Sequence, residues 1–438
     1  MNIKIILPTS YGYKNRLNKA KKAIIPNLGI RYLAGMVPAE HSISVVEEVV
    51  EDLNFDEVVD LVTISVNAFN ARRAYEVSKE YKSRGKTVVM GGIHASACYQ
   101  EALQHADTVV IGEADDIWPQ VIDDFIHKRL KRIYRSEPRN DLCNLPQPRY
   151  DLIDNSKYLK FPFEKRAIFP IETSRGCPHN CEFCSVSIFW GKKLRHRPIE
   201  DVICAIKRSG AKTFLFTDDN FFSDYERAKR LCKALIPLKI EYICQVTTSI
   251  VNRPELIRLA ANSGCIMVYV GFESIRTESL KNAGKAFNRP EAYHRLCSLL
   301  NKSGINVYAS MMLGFDGDHY ITIRETLDNL TKWKVSSAAF FELIPFPGTA
   351  LYNRLKSEDR LLDDQWWLSQ DDESYIVRIR HDESQVSGIN LRNRALDQFF
   401  SMGSIIRRFF PPRKGMLLPL YMNIMVKNKL RKREYMFW

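Results

Sequence analysis

Along the first 130 positions, short apolar blocks alternate with polar stretches of helical period or turn-forming residues. Ile3 to Leu7 reads as a buried strand closed by Pro8-Thr9-Ser10-Tyr11-Gly12. Leu28 to Met36 spaces its apolar residues as a helix does, and Ser42 to Val50, rich in Val and Ile, reads as a strand. Leu61 to Val66 predicts a further strand and Ala71 to Arg84 a polar-faced helix closed by Gly85. Thr87 to Met90 then runs into Gly91-Gly92, and Thr108 to Ile111 into Gly112-Glu113. Short apolar strands separated by helices predict α/β class, here a parallel, doubly wound, Rossmann-like sheet. In such sheets ligands bind beyond the carboxyl ends of the strands. Ser65, Asn67, Gly91, Gly92, His94, Gly112 and Glu113 all fall there.

The alternation lapses over 131–165, where basic residues and Pro138, Pro146 and Pro148 show no sustained period, so a linker is expected. It resumes with strands at Ala167 to Glu172, Thr213 to Thr217, Tyr242 to Thr247, Met267 to Val270, Val307 to Leu313 and Ala338 to Leu343. Helices are expected between them, among them Ile199 to Ser209 and Ser223 to Ile236. This succession predicts a partial (β/α)6 barrel over 166–355. Residues 356–438 form a mostly helical C-terminal region, with one helix expected from Leu391 to Arg408.

Charge and cysteine usage narrow the chemistry. A net charge of +13 over 438 residues makes nucleic acid, an anionic membrane or an anionic substrate reasonable partners without choosing among them. No window of about 18 uninterrupted apolar residues is present, so no membrane-spanning helix is expected, and the chain reads as cytoplasmic. From Arg407 to Trp438, nine Lys or Arg stand against one Glu, interleaved with Phe409, Phe410, Leu417, Tyr421 and Ile424. Such a basic, apolar tail fits contact with an anionic membrane; a helix packed on the barrel fits it equally well.

Of ten cysteines, only Cys177, Cys181 and Cys184 are close together, spaced C-x3-C-x2-C just after a strand. A tetrahedral zinc site would need a fourth ligand, for which His179 or His196 is at hand. An iron–sulfur cube held by three thiolates leaves one iron open to a chelating ligand. The remaining cysteines, Cys244 and Cys265 among them, read as inert core thiols.

The triplet, with aromatic Phe183 before its last cysteine, resembles the signature of radical S-adenosylmethionine (SAM) enzymes. Further segments carry the resemblance across most of the chain: Arg195-His196-Arg197-Pro198-Ile199-Glu200, Phe216-Thr217-Asp218-Asp219-Asn220-Phe221, Val270-Gly271-Phe272-Glu273-Ser274, Leu313-Gly314-Phe315-Asp316-Gly317-Asp318 and Pro345-Phe346-Pro347-Gly348-Thr349. The N-terminal strand ends resemble the cobalamin (B12)-binding fold that precedes the barrel in the methylase-like subgroup. The resemblance implies a [4Fe–4S] cluster on Cys177, Cys181 and Cys184, with SAM on the open iron, positioned by Phe183, Asp218, Asp219, Glu273, Pro345, Phe346 and Pro347. One-electron cleavage of SAM would then give a 5′-deoxyadenosyl radical that abstracts hydrogen. Plain helix N-caps are the competing reading of Asp218, Asp219, Asp316 and Asp318. Glu273 reads as functional because an unpaired carboxylate at an apolar strand end is costly.

Cobalamin is implied at Ser65, Asn67, Gly91, Gly92, His94, Gly112 and Glu113, where glycines would admit close approach of a flat macrocycle. One departure stands out: many such domains carry an Asp-x-His-x-x-Gly motif after the first strand, whereas Thr9 to Asn18 contains no histidine. The implied activity is cobalamin-dependent methylation of an unactivated carbon in a lipid or natural product, with an external one-electron reductant of flavodoxin or ferredoxin type. Ring formation, rearrangement or oxidation on the same architecture is the alternative. RNA modification fits poorly, because residues 1–142 contain only Cys98. A non-enzymatic zinc module is the remaining reading.

Overall fold

The computed structural model describes residues 1–160, 166–316, 318, 320–370, 379, 388–412 and 415–431. Its contacts divide the chain into two compact units. One comprises Met1–Pro178, Cys184–Ala211 and Pro345–Ile379; the other comprises His179–Phe183, Lys212–Ile344 and Arg380–Trp438.

The first unit is built on six parallel strands, β1 (Asn2–Leu7), β2 (Ser42–Glu47), β3 (Leu61–Ser65), β4 (Thr87–Gly91), β5 (Thr108–Ile111) and β6 (Ile133–Arg135), in the order β2-β1-β3-β4-β5-β6. Ile5 of β1 lies opposite Val45 on one side and Thr63 on the other. Helices α1 (Leu28–Gly35), α2 (Ala71–Ser83) and α3 (Trp118–Ile126) supply the crossovers. One core cluster joins Ile3, Ile5, Leu61, Val89 and Val110 of the strands to Ile30 of α1 and Trp118 of α3. The chain leaves β1 towards β2 and then returns to β3, so the switch point of the sheet lies between β1 and β3.

The segment read as a linker from 131 contributes β6, which pairs with β5 at Val109 and Ile133. Only Tyr134 of β6 is buried, and Ile133 and Arg135 are exposed. An edge strand with a single inward residue between cations has no apolar run to betray it. The linker's last residues, 161–165, lie outside the described residues.

β7 (Phe169–Ile171) and α4 (Ile199–Ser209) also belong to the first unit, as does α9 (Ala350–Ser357). The second unit holds β8 (Thr213–Phe216), β9 (Glu241–Val246), β10 (Cys265–Glu273), β11 (Asn306–Leu313) and β12 (Ser337–Glu342), parallel and in sequence order across the sheet. The crossovers are α5 (Tyr225–Leu235), α6 (Pro254–Asn262), α7 (Tyr293–Lys302) and α8 (Tyr320–Lys332). With β7–α4 and β12–α9 the βα units reach the six expected. The fold is therefore a Rossmann-like domain followed by a partial barrel.

The domain limits expected at 130, 165 and 355 differ from this division, because 184–211 and 345–379 make their contacts within the first unit. The single helix expected from Leu391 to Arg408 is two, α10 (Gly388–Phe399) and α11 (Met402–Phe409), followed by α12 (Leu417–Arg431). Ser401 makes the break: its hydroxyl accepts from the Ser404 amide and starts α11 anew. No described helix is long and apolar enough to cross a membrane.

Candidate functional site

The three clustered cysteines lie on the loop between β7 and α4. Just ahead of them, Ser174–Arg175 pairs antiparallel with Arg195–His196, which closes the base of the loop. Cys177, Cys181 and Cys184 are half-buried, whereas Cys232, Cys244, Cys265 and Cys297 are buried. Cys98 is half-buried too, and Cys143 and Cys204 are exposed, so the expectation of core thiols holds for four of the other seven, and spacing alone sets the triplet apart. In the second unit, the stretch His179–Phe183 is held by the turn after the short helix Thr277–Asn282. The Glu182 amide donates to the Ala283 carbonyl at 3.0 Å, and the His179 ring stacks on Phe287 at 3.8 Å. Burial, with the nearby Lys285 charge, lowers the pKa of the His179 imidazole.

Among the described residues, no three His, Cys, Asp or Glu side chains gather closely enough for a single metal ion. Zinc ligands must converge on one point. The three thiolates of a cube bind three different irons and need not converge.

Glu273, at the end of β10, is buried with a backbone φ of 63°. The pairing of β10 with β11 slips between Gly271 and Glu273, so the carboxylate is presented from a bulge. One oxygen lies 2.6 Å from Lys285 Nζ, and the other accepts from the Ser310 hydroxyl at 3.2 Å. A Cβ on Gly271 would stand 2.7 Å from Glu273 Oε1 and 2.9 Å from Lys285 Nζ, so any larger residue there would make the pair shift. Asn288 braces the bulge by donating to the Gly271 and Phe272 carbonyls. The cost of an unpaired carboxylate at this strand end is avoided within the protein, because Glu273 is ion-paired to Lys285. Its partner Lys285 was missed because it follows twelve residues later in an unremarked polar stretch. Lys285 Nζ also lies 5.9 Å from the Phe183 ring centre.

Asp218 is buried and Asp219 half-buried, both just past β8. Neither is the helix cap: Asp224 caps α5, accepting from the Arg227 amide at 3.0 Å. The capping reading of Asp218 and Asp219 is thus replaced. Asp318 does serve its turn, with Oδ2 accepting from the Gly314 and Phe315 amides. Gly317 lies outside the described residues.

In the first unit, Ser65 and Asn67 stand at the carboxyl end of β3, beside the switch point. Asn70 fixes that corner by donating to the carbonyls of Pro8 and Ser65. Gly91, Gly92 and Gly112 follow β4 and β5. Gly92 has φ 104°, and a Cβ there would meet the Val66 carbonyl oxygen at 2.7 Å. That glycine is demanded by its own backbone, whether or not a macrocycle approaches. His94 is buried, with Nε2 3.3 Å from Glu101 and its ring edge-on to Trp367. The histidine-free segment Thr9 to Asn18 forms a small hairpin, Tyr11–Gly12 against Arg16–Leu17.

Glu113, after β5, is held by cations: Arg175 Nη1 at 2.8 Å and Arg195 Nη1 at 2.6 Å. Arg175 also reaches Asp115 and Glu172, and its guanidinium lies 4.7 Å from the Trp190 ring centre. Sequence reasoning missed Arg175, although its place two residues before Cys177 was a usable signal. Pro345, Phe346 and Pro347 belong to the same unit. The Pro345 carbonyl accepts from Trp366 Nε1, and the Phe346 ring meets Phe69 edge-on at 5.7 Å. Trp367 Nε1 donates to Glu101, which also accepts from Tyr75.

Comparison with known proteins accounts for both halves. A model described as the radical SAM superfamily matches residues 171–330, and a B12 binding domain model matches residues 19–122. The chain carries a radical SAM domain preceded by a B12-binding domain. Among curated relatives, the chain is 28% identical to bacteriochlorophyllide d C-12(1)-methyltransferase of Chlorobaculum tepidum, over 72% of this chain and 70% of that one. It is 26% identical to the hopanoid C-2 methylase of Rhodopseudomonas palustris, over 78% of this chain and 66% of the relative. Among solved structures, it superposes on the radical SAM methyltransferase TsrM of Kitasatospora setae with a TM-score of 0.71. That match covers 99% of each chain at 16% identity, and it establishes the fold.

A radical SAM domain works with a [4Fe–4S] cluster and SAM, and a B12-binding domain with cobalamin. The donor set suits them: three part-exposed thiols on one loop, acidic groups past β8 and β10, and a parallel sheet with a switch point flanked by Ser65 and Asn67.

Proposed function

We propose that this protein is a cobalamin-dependent C-methyltransferase acting on an unactivated carbon of a lipid or natural product. Cys177, Cys181 and Cys184 hold the [4Fe–4S] cluster and leave one iron for SAM. When bound, the cluster and SAM supply one-electron hydrogen abstraction, and cobalamin supplies the methyl group. Phe183, Asp218, Asp219 and Glu273 contact SAM, joined by Lys285, and Pro345, Phe346 and Pro347 are assigned to SAM as well. Lys285 pairs with Glu273 within the buried site, so that neither charge stands alone there. Ser65, Asn67, Gly91, Gly92 and Gly112 line the cobalamin side. His94 and Glu113 act behind them, as anchors to Trp367 and to the arginines beside the cysteine loop. The electron comes from an external donor of flavodoxin or ferredoxin type, and contact with an anionic membrane is part of the same reading.

The observation that carries this reading is the accessible C-x3-C-x2-C triplet at the end of a barrel strand, in a chain that also has a B12-binding domain. Both relatives named above are methylases, of a bacteriochlorophyllide and of a hopanoid.

Anaerobic reconstitution with iron, sulfide and hydroxocobalamin, followed by iron and cobalt counts, tests both cofactors. Replacing any one of Cys177, Cys181 and Cys184 with Ala is expected to abolish 5′-deoxyadenosine formation. Persistent cleavage, or a colourless iron-free protein, refutes the reading. With substrate, methylated product should form in step with 5′-deoxyadenosine. Product without added methyl would instead establish oxidation or ring formation.

A further inference from the structure

The C-terminal helices have one side committed to the protein and the other to solvent. On the inner side, Ile405, Phe409 and Met416 form a buried cluster with Leu420 packed against it. Arg408 is fully buried and donates to the carbonyls of Val335, Ser336 and Phe399 and to Asn423 Oδ1. Its guanidinium lies 3.7 Å from the Phe399 ring centre. Asn423 Nδ2 in turn donates to the Ser336 carbonyl at 2.9 Å. These bonds fix the rotation of α11 and α12 about their axes.

The outer side is therefore determined as well. Along α11 and just beyond it, Met402, Ile406 and Phe410 recur every four residues and are 46%, 60% and 69% exposed. Along α12, Leu417, Tyr421 and Ile424 recur at i, i+4 and i+7 and are 85%, 53% and 39% exposed. Asn428 and Arg431 continue that stripe, so it runs from apolar to basic. Six of the fifteen exposed large apolar side chains among the described residues fall within 402–424, which is a concentration rather than scatter. Residues 402–431 contain no Asp or Glu, while Arg407, Lys427, Lys429 and Arg431 are cationic. Arg413, Lys414 and 432–438 of the basic tail lie outside the described residues.

We propose that the outward face of α11 and α12 seats on an anionic lipid surface, the two helices lying in the plane of the interface. This deepens, and rests on, the membrane-contact part of the functional reading; it does not depend on the cluster chemistry. Exposed Leu, Ile, Phe and Tyr beside Lys and Arg match a bilayer boundary, where rings and chains enter the acyl edge and cations meet headgroups. A second copy of this chain is disfavoured, because two such faces would bring like charges together.

The test is co-sedimentation of the full-length, cluster-loaded protein with two kinds of vesicle, phosphatidylcholine alone and phosphatidylcholine mixed equally with phosphatidylglycerol. The expected result is binding to the mixed vesicles that weakens with salt. The triple variant Leu417→Ser, Tyr421→Ser, Ile424→Ser should bind on the order of tenfold more weakly or worse, since each residue contributes buried apolar area. Lys427→Gln with Lys429→Gln should lose about fivefold per charge. Equal binding to both vesicle types, or unchanged binding by both variants, overturns the proposal, as does a wild-type dimer that the triple variant abolishes. Iron content and 5′-deoxyadenosine formation, measured on the same preparations without vesicles, report the enzymatic reading separately. They should be unaltered in both variants.

Discussion

Arg175 Nη1 lies 2.8 Å from Glu113 Oε2, with both side chains buried. This one contact ties the residue two places before the first loop cysteine to the carboxyl end of β5. Burial by itself would push the Arg175 guanidinium down, but the charges of Glu172 and Asp115 outweigh it and hold it above the ordinary arginine value. Glu113 also faces Arg195, so the carboxylate balances two buried cations. Replacing Glu113 with Gln is expected to cost about 3 kcal/mol, the usual range for removing one partner of a buried pair. Urea denaturation of the protein measures it, and a loss under about 1 kcal/mol would place the pair on a solvated surface.

Glu101 makes stability depend on acid. Burial pushes its carboxyl up, but the contacts from His94, Tyr75 and Trp367 prevail and leave it lowered overall. A carboxyl depressed in the folded state contributes stability above its unfolded value of about 4.3, and that contribution disappears as pH falls through the lower folded value. Thermal midpoints of the wild type should therefore fall more steeply on acidification than those of Glu101→Gln. Parallel curves would contradict the linkage. Trp367 fluorescence gives a local readout of the same transition.

The Glu273–Lys285 pair makes a sharper demand. Gly271→Ala forces a methyl to within 2.7 Å of the carboxylate, so the pair must move. Lys285→Met leaves Glu273 buried and uncompensated, at a cost of about 3–5 kcal/mol. Both variants are expected to bind SAM at least tenfold more weakly, by equilibrium dialysis against the reconstituted protein. Wild-type affinity in the Lys285→Met protein would remove Lys285 from the site.

Asp218 and Asp224 should separate cleanly. Asp224→Ala removes the cap of α5 and is expected to cost about 1 kcal/mol while leaving SAM cleavage intact. Asp218→Asn leaves that cap in place and should lower SAM cleavage. The reverse pattern would return Asp218 to a purely local role.

Much of the layout follows from local rules. Every barrel strand expected from an apolar run formed within a few residues of its predicted limits, because strands buried on both faces announce themselves by composition. β6 escaped because an edge strand needs only one inward residue, and Tyr134 sat among cations. Gly92 was expected as a door for a ligand, but its own φ and the Val66 carbonyl already require it. The break between α10 and α11 hid within a continuous helical pattern, since Ser401 can cap or be carried along.

The amino-acid order alone determined the parallel strands, their crossovers and three thiols on one loop, because periodicity and spacing are properties of neighbours in the chain. Tertiary structure decided which charges meet. Glu113 finds Arg175 across sixty-two residues, Glu273 finds Lys285 across a bulge, and Arg408 buries itself to turn the apolar face of α12 outward. Electrostatic partners are chosen by distance in space and by exclusion of water, and neither is written in the linear order of residues.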